Sequence, residues 1–265
     1  MKLFQFFAYL STGMTYLLIF IGGLVRVSGA GMGCPDWPKC FDRWIPPTSI
    51  KQLPEHIDPS KFNIVLAWIE YSNRLFGALV GLTITLTMLF MFKYYSNETR
   101  IRNAICLAFI LTLFEGWLGA VLVKTVLNPF TITLHLFFAL IIVMLLIYAS
   151  QEVYYLENPL TEKLSKYPKK LGKIFLFLSM ALLFEVILGT EIRAGLEMIH
   201  KENPTLDSTF LLKMLGPFKY MHTIIGILIT FFAIYILYYV IKKSISPSTL
   251  MIQISSLILF LILIQ

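Results

Sequence analysis

Long apolar runs separated by polar segments recur along this chain at the length of membrane-spanning helices. A spanning helix needs about 20 mostly apolar residues. The pattern predicts six such helices, roughly at residues 6–25, 64–92, 104–123, 131–149, 174–192 and 220–241. A seventh apolar run begins near Leu250 and continues to Gln265. The first run is longer than the apolar region of a typical signal peptide, so we expect it to be retained.

Composition identifies the class of protein. Of the 265 residues, 57% are hydrophobic and 14% are charged, whereas a soluble domain is about half apolar and a quarter charged. This excludes a water-soluble enzyme, a disordered chain and a nucleic-acid partner, in spite of a net charge of +7. We predict an all-α polytopic membrane protein surrounded by lipid.

Loop charges predict the orientation. The connections at 93–102, 152–173 and 242–248 hold ten Lys and Arg against four acids in 39 residues. The other connections hold ten against seven in 71 residues. Because the denser basic loops face the cytoplasm, we expect a cytoplasmic N-terminus in the inner (plasma) membrane and an outward-facing loop at 26–63.

Short motifs repeat along the chain. Gly22–Arg26 resembles Gly189–Arg193, and Asn73-x3-Gly77 resembles His222-x3-Gly226. Fixed-period similarity of this kind indicates a duplicated unit. We predict two pseudo-symmetric four-helix halves, with seven helices present and the eighth missing because the sequence is cut short; a naturally shortened protein is the alternative. The predicted division is 1–152, a cytoplasmic connector at 153–173, and an incomplete half at 174–265.

The second predicted helix carries a polar stripe. Helical spacing places five residues on one face, namely Glu70, Asn73, Arg74, Gly77 and Gly81. Ionisable residues within a bilayer are costly and mark functional candidates. The stripe is either the wall of a ligand pocket or a Glu–Arg pair that reaches the interface and fixes helix packing.

Two histidines lie near the outer ends of predicted helices. His135 and His222 are each a few residues into helices that enter from the outside. Neutral imidazoles inside a helical bundle commonly hold haem iron, although a lone buried histidine is more often structural. Glu115 and Glu185 lie within helices as well, as proton-handling groups or as hydrogen-bonded packing residues.

Two cysteines, Cys34 and Cys40, enclose a short segment of the outer loop. On an oxidising face such a pair favours a disulfide, either as a staple for a loop rich in Gly and Pro or as a redox pair that relays electrons. The spacing alone does not decide between them. Cys106 is expected to be a packing residue.

Several stretches together are similar to the haem A synthase family of cytochrome oxidase assembly proteins. They are GGLVRVSGAGMGCPDWPKC at 22–40, EYSNRL at 70–75, TLHL at 133–136, LGTEIR at 188–193, and His222. The resemblance implies an eight-helix bundle of two pseudo-symmetric halves. It implies an oxidoreductase that converts the C8 methyl of haem O to the formyl group of haem A. Haem b would be the cofactor in the C-terminal half, with haem O bound in the N-terminal half.

The resemblance assigns roles to residues of this chain. Glu70 becomes the catalytic carboxylate, and His135 becomes the iron ligand of the substrate haem, beside Asn73 and Arg74. His222 becomes the ligand of the cofactor haem. Cys34 and Cys40 become a disulfide. Charge alone makes Arg26, Arg74 and Arg193 candidates for contact with haem propionates.

The chain departs from the family pattern at Asn73. Members usually carry Glu-x-x-His-Arg where this chain has Glu70-Tyr71-Ser72-Asn73-Arg74. Because an amide is a poor iron ligand, the N-terminal haem is either held by His135 alone or lost. His222 lacks a second histidine, since that residue would belong to the eighth helix.

The implied partners are haem O synthase and the cytochrome c oxidase assembly machinery, and the oligomeric state is open. The alternatives are a haem-binding electron carrier or assembly factor without synthase activity, and a quinone-coupled thiol oxidoreductase that uses the outer-loop cysteines. A transporter is a further alternative, which helix glycines favour weakly.

Overall fold

The computed structural model describes residues 2–158, 169–203, 205, 207–243 and 249–264, and within these ranges the regular structure is helical, with no β-strand. The chain divides into two compact units at residues 1–164 and 165–265. The first unit holds helices α1 (Lys2–Val27), α2 (Ile64–Tyr94), α3 (Thr99–Lys124) and α4 (Pro129–Glu157). The second holds α5 (Lys169–Glu202), α6 (Ser208–Met214), α7 (Phe218–Lys243) and α8 (Thr249–Ile264).

Six of these helices, α1 to α5 and α7, are long and apolar enough to cross a membrane. This confirms the prediction of an all-α polytopic membrane protein. The seventh predicted run corresponds to α8, which is apolar and has 16 residues; its predicted last residue, Gln265, is outside the described ranges. The short helix α6 was not predicted, because seven residues of mixed polarity give no periodic signal.

Most observed helices extend beyond the predicted apolar runs, because hydropathy reports the apolar layer and not the hydrogen-bonded helix. α5 continues ten residues past its predicted end at 192. Local capping explains two of the starts. The side chain of Asn63 accepts hydrogen bonds from Val65 N and Leu66 N, and that of Asn128 caps the start of α4 in the same way.

In the first unit, α1 packs on α2 and α4, and α3 packs on the same two helices. Helices α2 and α4 therefore lie at opposite corners of a four-helix bundle. The core is formed by fully buried apolar side chains, among them Phe4, Ile84, Met91, Ile105 and Leu146. A buried hydroxyl pair, Ser11 Oγ and Thr87 Oγ1 at 3.0 Å, joins α1 to α2.

The bundle end remote from the loop at 28–63 is tied together by Glu157. Its carboxylate accepts hydrogen bonds from Gln5 Nε2 and from Tyr95 Oη, both at 2.6 Å. Burial and the Glu157 carboxylate raise the pKa of the Tyr95 phenol. The three groups connect the ends of α1, α2 and α4.

In the second unit, α7 packs on both α5 and α8, and α6 packs on α5. Its core includes Leu178, Ile229, Ile236 and Val240. The boundary between the units falls inside the predicted connector at 153–173. Of that connector, 159–168 lies outside the described residues.

Candidate functional site

Glu70 and Arg74 of the polar stripe fasten the loop at 28–63 onto α2. Glu70 is 4% exposed, and its Oε2 accepts a hydrogen bond from Cys34 N at 2.7 Å. Its Oε1 accepts from Arg74 Nε at 3.1 Å and also from Nη2. The structure therefore engages both carboxylate oxygens, while the catalytic role of Glu70 stays a prediction.

Arg74 binds the loop through backbone carbonyls. Its Nη1 donates to Asp36 O at 2.7 Å and to Lys39 O at 2.9 Å, and its Nη2 donates to Cys34 O at 3.2 Å. The rigid guanidinium fork suits several acceptors at once. One side chain therefore gathers three carbonyls of the segment between the cysteines.

Cys34 and Cys40 form a disulfide, as the sequence predicted. Both residues are buried, at 0% and 1% exposure. Gly33 lies so close to α2 that a Cβ there would be 2.3 Å from Leu66 O, so only glycine fits. The disulfide segment thus rests directly against the helix that carries Glu70. Cys106, predicted to be a packing residue, is a free, half-buried cysteine beside the core of the first unit.

Asn73 lies one turn from Glu70 and is half-buried. Its Oδ1 is buried and has no hydrogen-bond partner among the described residues. Asn73 is on α2 and His135 is on α4, at opposite corners of the bundle. An unsatisfied buried amide oxygen normally has an explanation in a missing partner. Asn73 therefore stays a candidate site residue.

His135 faces a carboxylate of the neighbouring helix. Its Nδ1 lies 2.7 Å from Glu115 Oε2, and the side chains are 40% and 12% exposed respectively. Glu115 is nine residues before the end of α3 and His135 is six residues after the start of α4. The antiparallel hairpin of α3 and α4 brings them to similar depth.

His222 faces a carboxylate in the second unit in the same way. Its Nδ1 lies 2.8 Å from Glu185 Oε1, and the side chains are 41% and 8% exposed. Two glycines leave room for the pair. A Cβ on Gly189 would be 3.2 Å from His222 Cε1, and a Cβ on Gly226 would be 3.2 Å from Glu185 Oε1.

The two pairs share three further properties. Each carboxylate has a second, buried oxygen without a hydrogen-bond partner among the described residues, and each ring N–H is at bonding distance but is not aligned with its acceptor. Each imidazole is also partly exposed at its other edge. This leaves Nε2 as the ring nitrogen not engaged by the carboxylate.

Matching contacts support the predicted repeat. The repeat pairs position 18 with 185 and position 77 with 226. In the first unit, the side chain nearest to Gly77 is Leu18, whose Cδ2 would be 3.8 Å from a Cβ at that glycine. In the second unit, the side chain nearest to Gly226 is Glu185, whose Oε1 would be 3.2 Å from a Cβ there. The position equivalent to His222 is Asn73. The first unit therefore has neither the imidazole nor the carboxylate at this pair of positions.

The three arginines predicted to contact haem propionates have different surroundings. Arg74 is engaged by the loop, Arg26 is half-buried at the end of α1, and Arg193 is exposed. Across the described ranges, no group of three or more His, Cys, Asp or Glu side chains gathers to hold a metal ion. Haem iron does not need such a cluster, because the porphyrin supplies four of its ligands.

Sequence reasoning singled out Glu115 and Glu185 but did not pair them with the histidines. The signal available was depth, since Glu115 and His135 are at similar distances from the turn between their helices. The spacing Glu185-x3-Gly189 and His222-x3-Gly226 was a second signal. Neither reveals which helices are neighbours.

Comparison with known proteins identifies the family. The cytochrome oxidase assembly protein family matches residues 5–265 of this chain. The chain belongs to this family. The resemblance to haem A synthases is also confirmed, because the relatives of this family member carry that name.

The haem A synthase of Shewanella oneidensis is 34% identical over 144 residues, which cover 51% of this chain and 41% of that protein. The haem A synthase of Ehrlichia canis is 28% identical over 220 residues, which cover 74% and 61%. That of Geobacillus kaustophilus is 25% identical over 134 residues, which cover 51% and 38%. The chain thus spans less than two thirds of the length of these relatives. No solved structure matches it significantly.

Proposed function

We propose that this chain acts in haem A biosynthesis as a membrane oxidoreductase that converts the C8 methyl of haem O to a formyl group. The observation that carries the proposal is the pair of partly exposed imidazoles, one in each unit, each with its Nδ1 edge against a carboxylate of low exposure. Family membership and relatives named haem A synthase support it. The product would serve cytochrome oxidase assembly, and a haem O synthase would supply the substrate.

The residues present fit a haem group. A histidine that ligates iron must present an accessible, unprotonated ring nitrogen, and His135 and His222 each leave Nε2 unengaged by the carboxylate. In the proposal, His222 holds haem b and His135 holds the substrate haem O. When bound, haem b supplies one-electron redox chemistry. Arg26 and Arg193 remain candidates for propionates on charge alone.

Glu70 is the proposed catalytic carboxylate of the first unit. Hydrogen bonds from Arg74 and Cys34 N fix its position on α2, and Asn73, one turn along, supplies an unsatisfied amide oxygen. A fixed carboxylate can accept a proton or stabilise positive charge that develops at the substrate methyl. The proposed role of the disulfide segment is to hold this carboxylate in place.

Haem analysis of the purified chain tests the proposal. We expect b-type haem in the protein isolated from membranes. We also expect haem A to form when the chain is expressed in a host that makes haem O but no haem A. Haem O remaining unconverted, with the protein folded and haem-loaded, would contradict the synthase activity.

The second candidate is a haem-binding assembly factor or electron carrier without synthase activity. Asn73 favours it, because the first unit has an amide where the family usually has an imidazole. The same experiment separates the two, since only the synthase generates formyl haem.

The thiol oxidoreductase alternative has less support. The two cysteines of the loop are almost fully buried, so a partner thiol or quinone has no direct access to their sulfur atoms. It predicts loss of all activity when either cysteine is replaced and a protein that contains no haem.

A further inference from the structure

We propose that Glu115 and Glu185 are positioning residues, each of which fixes the Nδ1 edge of one histidine so that Nε2 faces the haem iron. The inference deepens the proposed function and rests on it. It concerns residues that the haem-ligand assignment leaves without a role. Both carboxylates lie within membrane-spanning helices and have little exposure, at 12% and 8% of the side chain, where an ionisable group without a function is costly.

The geometry sets which ring nitrogen is available. A neutral imidazole carries one N–H, and the partner of that N–H decides the tautomer. With Nδ1 at 2.7 Å from Glu115 Oε2 and at 2.8 Å from Glu185 Oε1, the proton belongs on Nδ1 and the lone pair on Nε2. The Nδ1–H groups are not aligned with the carboxylate oxygens, so each hydrogen bond would require a rotation of the ring.

The same contact is built twice from different helices. In the first unit the carboxylate is on α3 and the imidazole on α4; in the second they are on α5 and α7. In the repeat of four-helix halves α5 corresponds to α1 and not to α3, although the motif Phe-Glu-x-x-Leu-Gly surrounds both carboxylates, at 114–119 and 184–189. Duplication of the halves therefore does not by itself place a carboxylate beside both histidines. A shared chemical requirement accounts for both contacts.

The first unit lacks both an imidazole and a carboxylate at the positions that correspond to His222 and Glu185, and this is a further argument. The repeat places Asn73 at the position of His222 and Leu18 at the position of Glu185. Leu18 occupies the space beside Gly77 that Glu185 occupies beside Gly226. Where the chain lacks the imidazole it also lacks the carboxylate, as expected if the carboxylate serves the imidazole and not helix packing.

The test titrates ferric haem b into the full chain in detergent and measures affinity and reduction potential. A His135→Ala background leaves only the His222 site. There we expect Glu185→Leu to weaken haem affinity about 10- to 100-fold, the usual effect of losing such a partner. We expect Glu185→Gln to shift the reduction potential upward, because a neutral acceptor makes the imidazole a weaker donor to iron. Glu115 variants in a His222→Ala background test the other site.

A pair of glycine variants moves the carboxylate without removing it. The Cβ introduced by Gly226→Ala would lie 3.2 Å from Glu185 Oε1, whereas that of Gly77→Ala would lie 3.8 Å from Leu18 Cδ2. We expect Gly226→Ala to lower affinity at the His222 site several-fold and Gly77→Ala to leave it unchanged. This pair decides the matter if the glutamate variants fold poorly.

The outcomes are distinct. Wild-type affinity and potential in both Glu185 variants, or equal effects of the two glycine variants, would overturn the positioning role while leaving haem binding intact. If the wild-type chain binds no haem b at all, the proposed function fails first, and the positioning role fails with it.

Discussion

The His135 and His222 sites each have an imidazole beside a carboxylate. Helices α2 and α7, which correspond in the repeat, nevertheless differ sharply. On α2, Glu70 and Arg74 hold the disulfide segment through four hydrogen bonds, and two more join the Arg74 guanidinium to the Glu70 carboxylate. The repeat places Lys219 and Thr223 at these positions on α7. Neither can reproduce the pair, and Lys219 Nζ instead lies 4.8 Å from the ring centre of Tyr220.

This difference separates two tasks. Holding a haem requires an imidazole and its partner, and both units have them. Among the described residues, a buried carboxylate fixed by a cross-linked loop is found in the first unit alone. A reactive group must be held within a fraction of an ångström, and a carboxylate fixed in addition to the haem ligand suits that requirement. The comparison therefore favours the first unit as the place of reaction and the second as the cofactor site.

Loss of haem from the second unit is the largest expected effect. We expect His222→Ala to remove b-type haem from its site, because His222 is the ligand proposed there. The measurement is the ratio of extracted haem to protein after purification. His135→Ala is the matched control, and we expect it to retain haem b. Equal loss in both variants would contradict the separation of tasks.

The variant Glu70→Gln tests the proposed role of the first unit as the place of reaction. We expect haem A formation to fall by about 10²–10⁴-fold, the usual contribution of a positioned acid or base, while haem content is kept. Haem content and haem A formation are measured on the same preparation. Loss of all haem together with poor folding would identify Glu70 as a purely structural partner of Arg74.

The disulfide should stabilise the first unit only. Closing a loop with a sequence separation of 6 contributes about 2 kcal/mol in the chain-entropy account. We expect the combined change Cys34→Ser and Cys40→Ser to lower the unfolding free energy by that amount and to slow haem A formation. Haem bound at His222 should be unchanged. Thiol labelling before and after reduction checks that the wild-type pair is oxidised.

Introducing an imidazole at position 73 and a carboxylate at position 18 should make the first unit more like the second. We expect Asn73→His with Leu18→Glu to strengthen haem binding in the first unit about tenfold, or about 1.4 kcal/mol. Asn73→His alone should do less, because its imidazole lacks a carboxylate. Haem titration in a His222→Ala background measures both. An equal gain from the single and double variants would show that the carboxylate adds nothing.

The smallest effect is expected far from both sites. Tyr95→Phe removes one hydrogen bond to Glu157, worth about 1 kcal/mol, and should leave haem content unchanged. Because the folded protein raises the pKa of Tyr95, the unfolded chain loses this proton first. The wild-type unfolding free energy should therefore fall as the pH rises past about 10. Thermal unfolding of the Phe variant should lack this dependence.

Sequence patterns predicted the spans well and the contacts poorly. The apolar runs predicted every long helix, because lipid requires an unbroken apolar helix about 20 residues long. The helix ends were missed where polar turns such as the last part of α5 continue beyond the bilayer. The disulfide followed from family resemblance, and the structure confirms it.

The candidate site needed the tertiary structure. The stripe on α2 was predicted from spacing, but spacing does not say that Arg74 faces loop carbonyls. Likewise, Glu115 and His135 were both recognised as polar residues within membrane helices, yet their contact depends on α3 and α4 being neighbours. Patterns within one helix describe a face, and only packing shows what that face meets.

The contacts of Arg74 have a consequence for labelling this protein. They are made to backbone oxygens of Cys34, Asp36 and Lys39, so they do not depend on which side chains the loop displays between its cysteines. Trp37, at 44% exposure, can therefore be exchanged for a fluorescent or spin-labelled residue without releasing the guanidinium. A probe there, paired with a second one on α2, would report the distance between the loop and that helix during turnover.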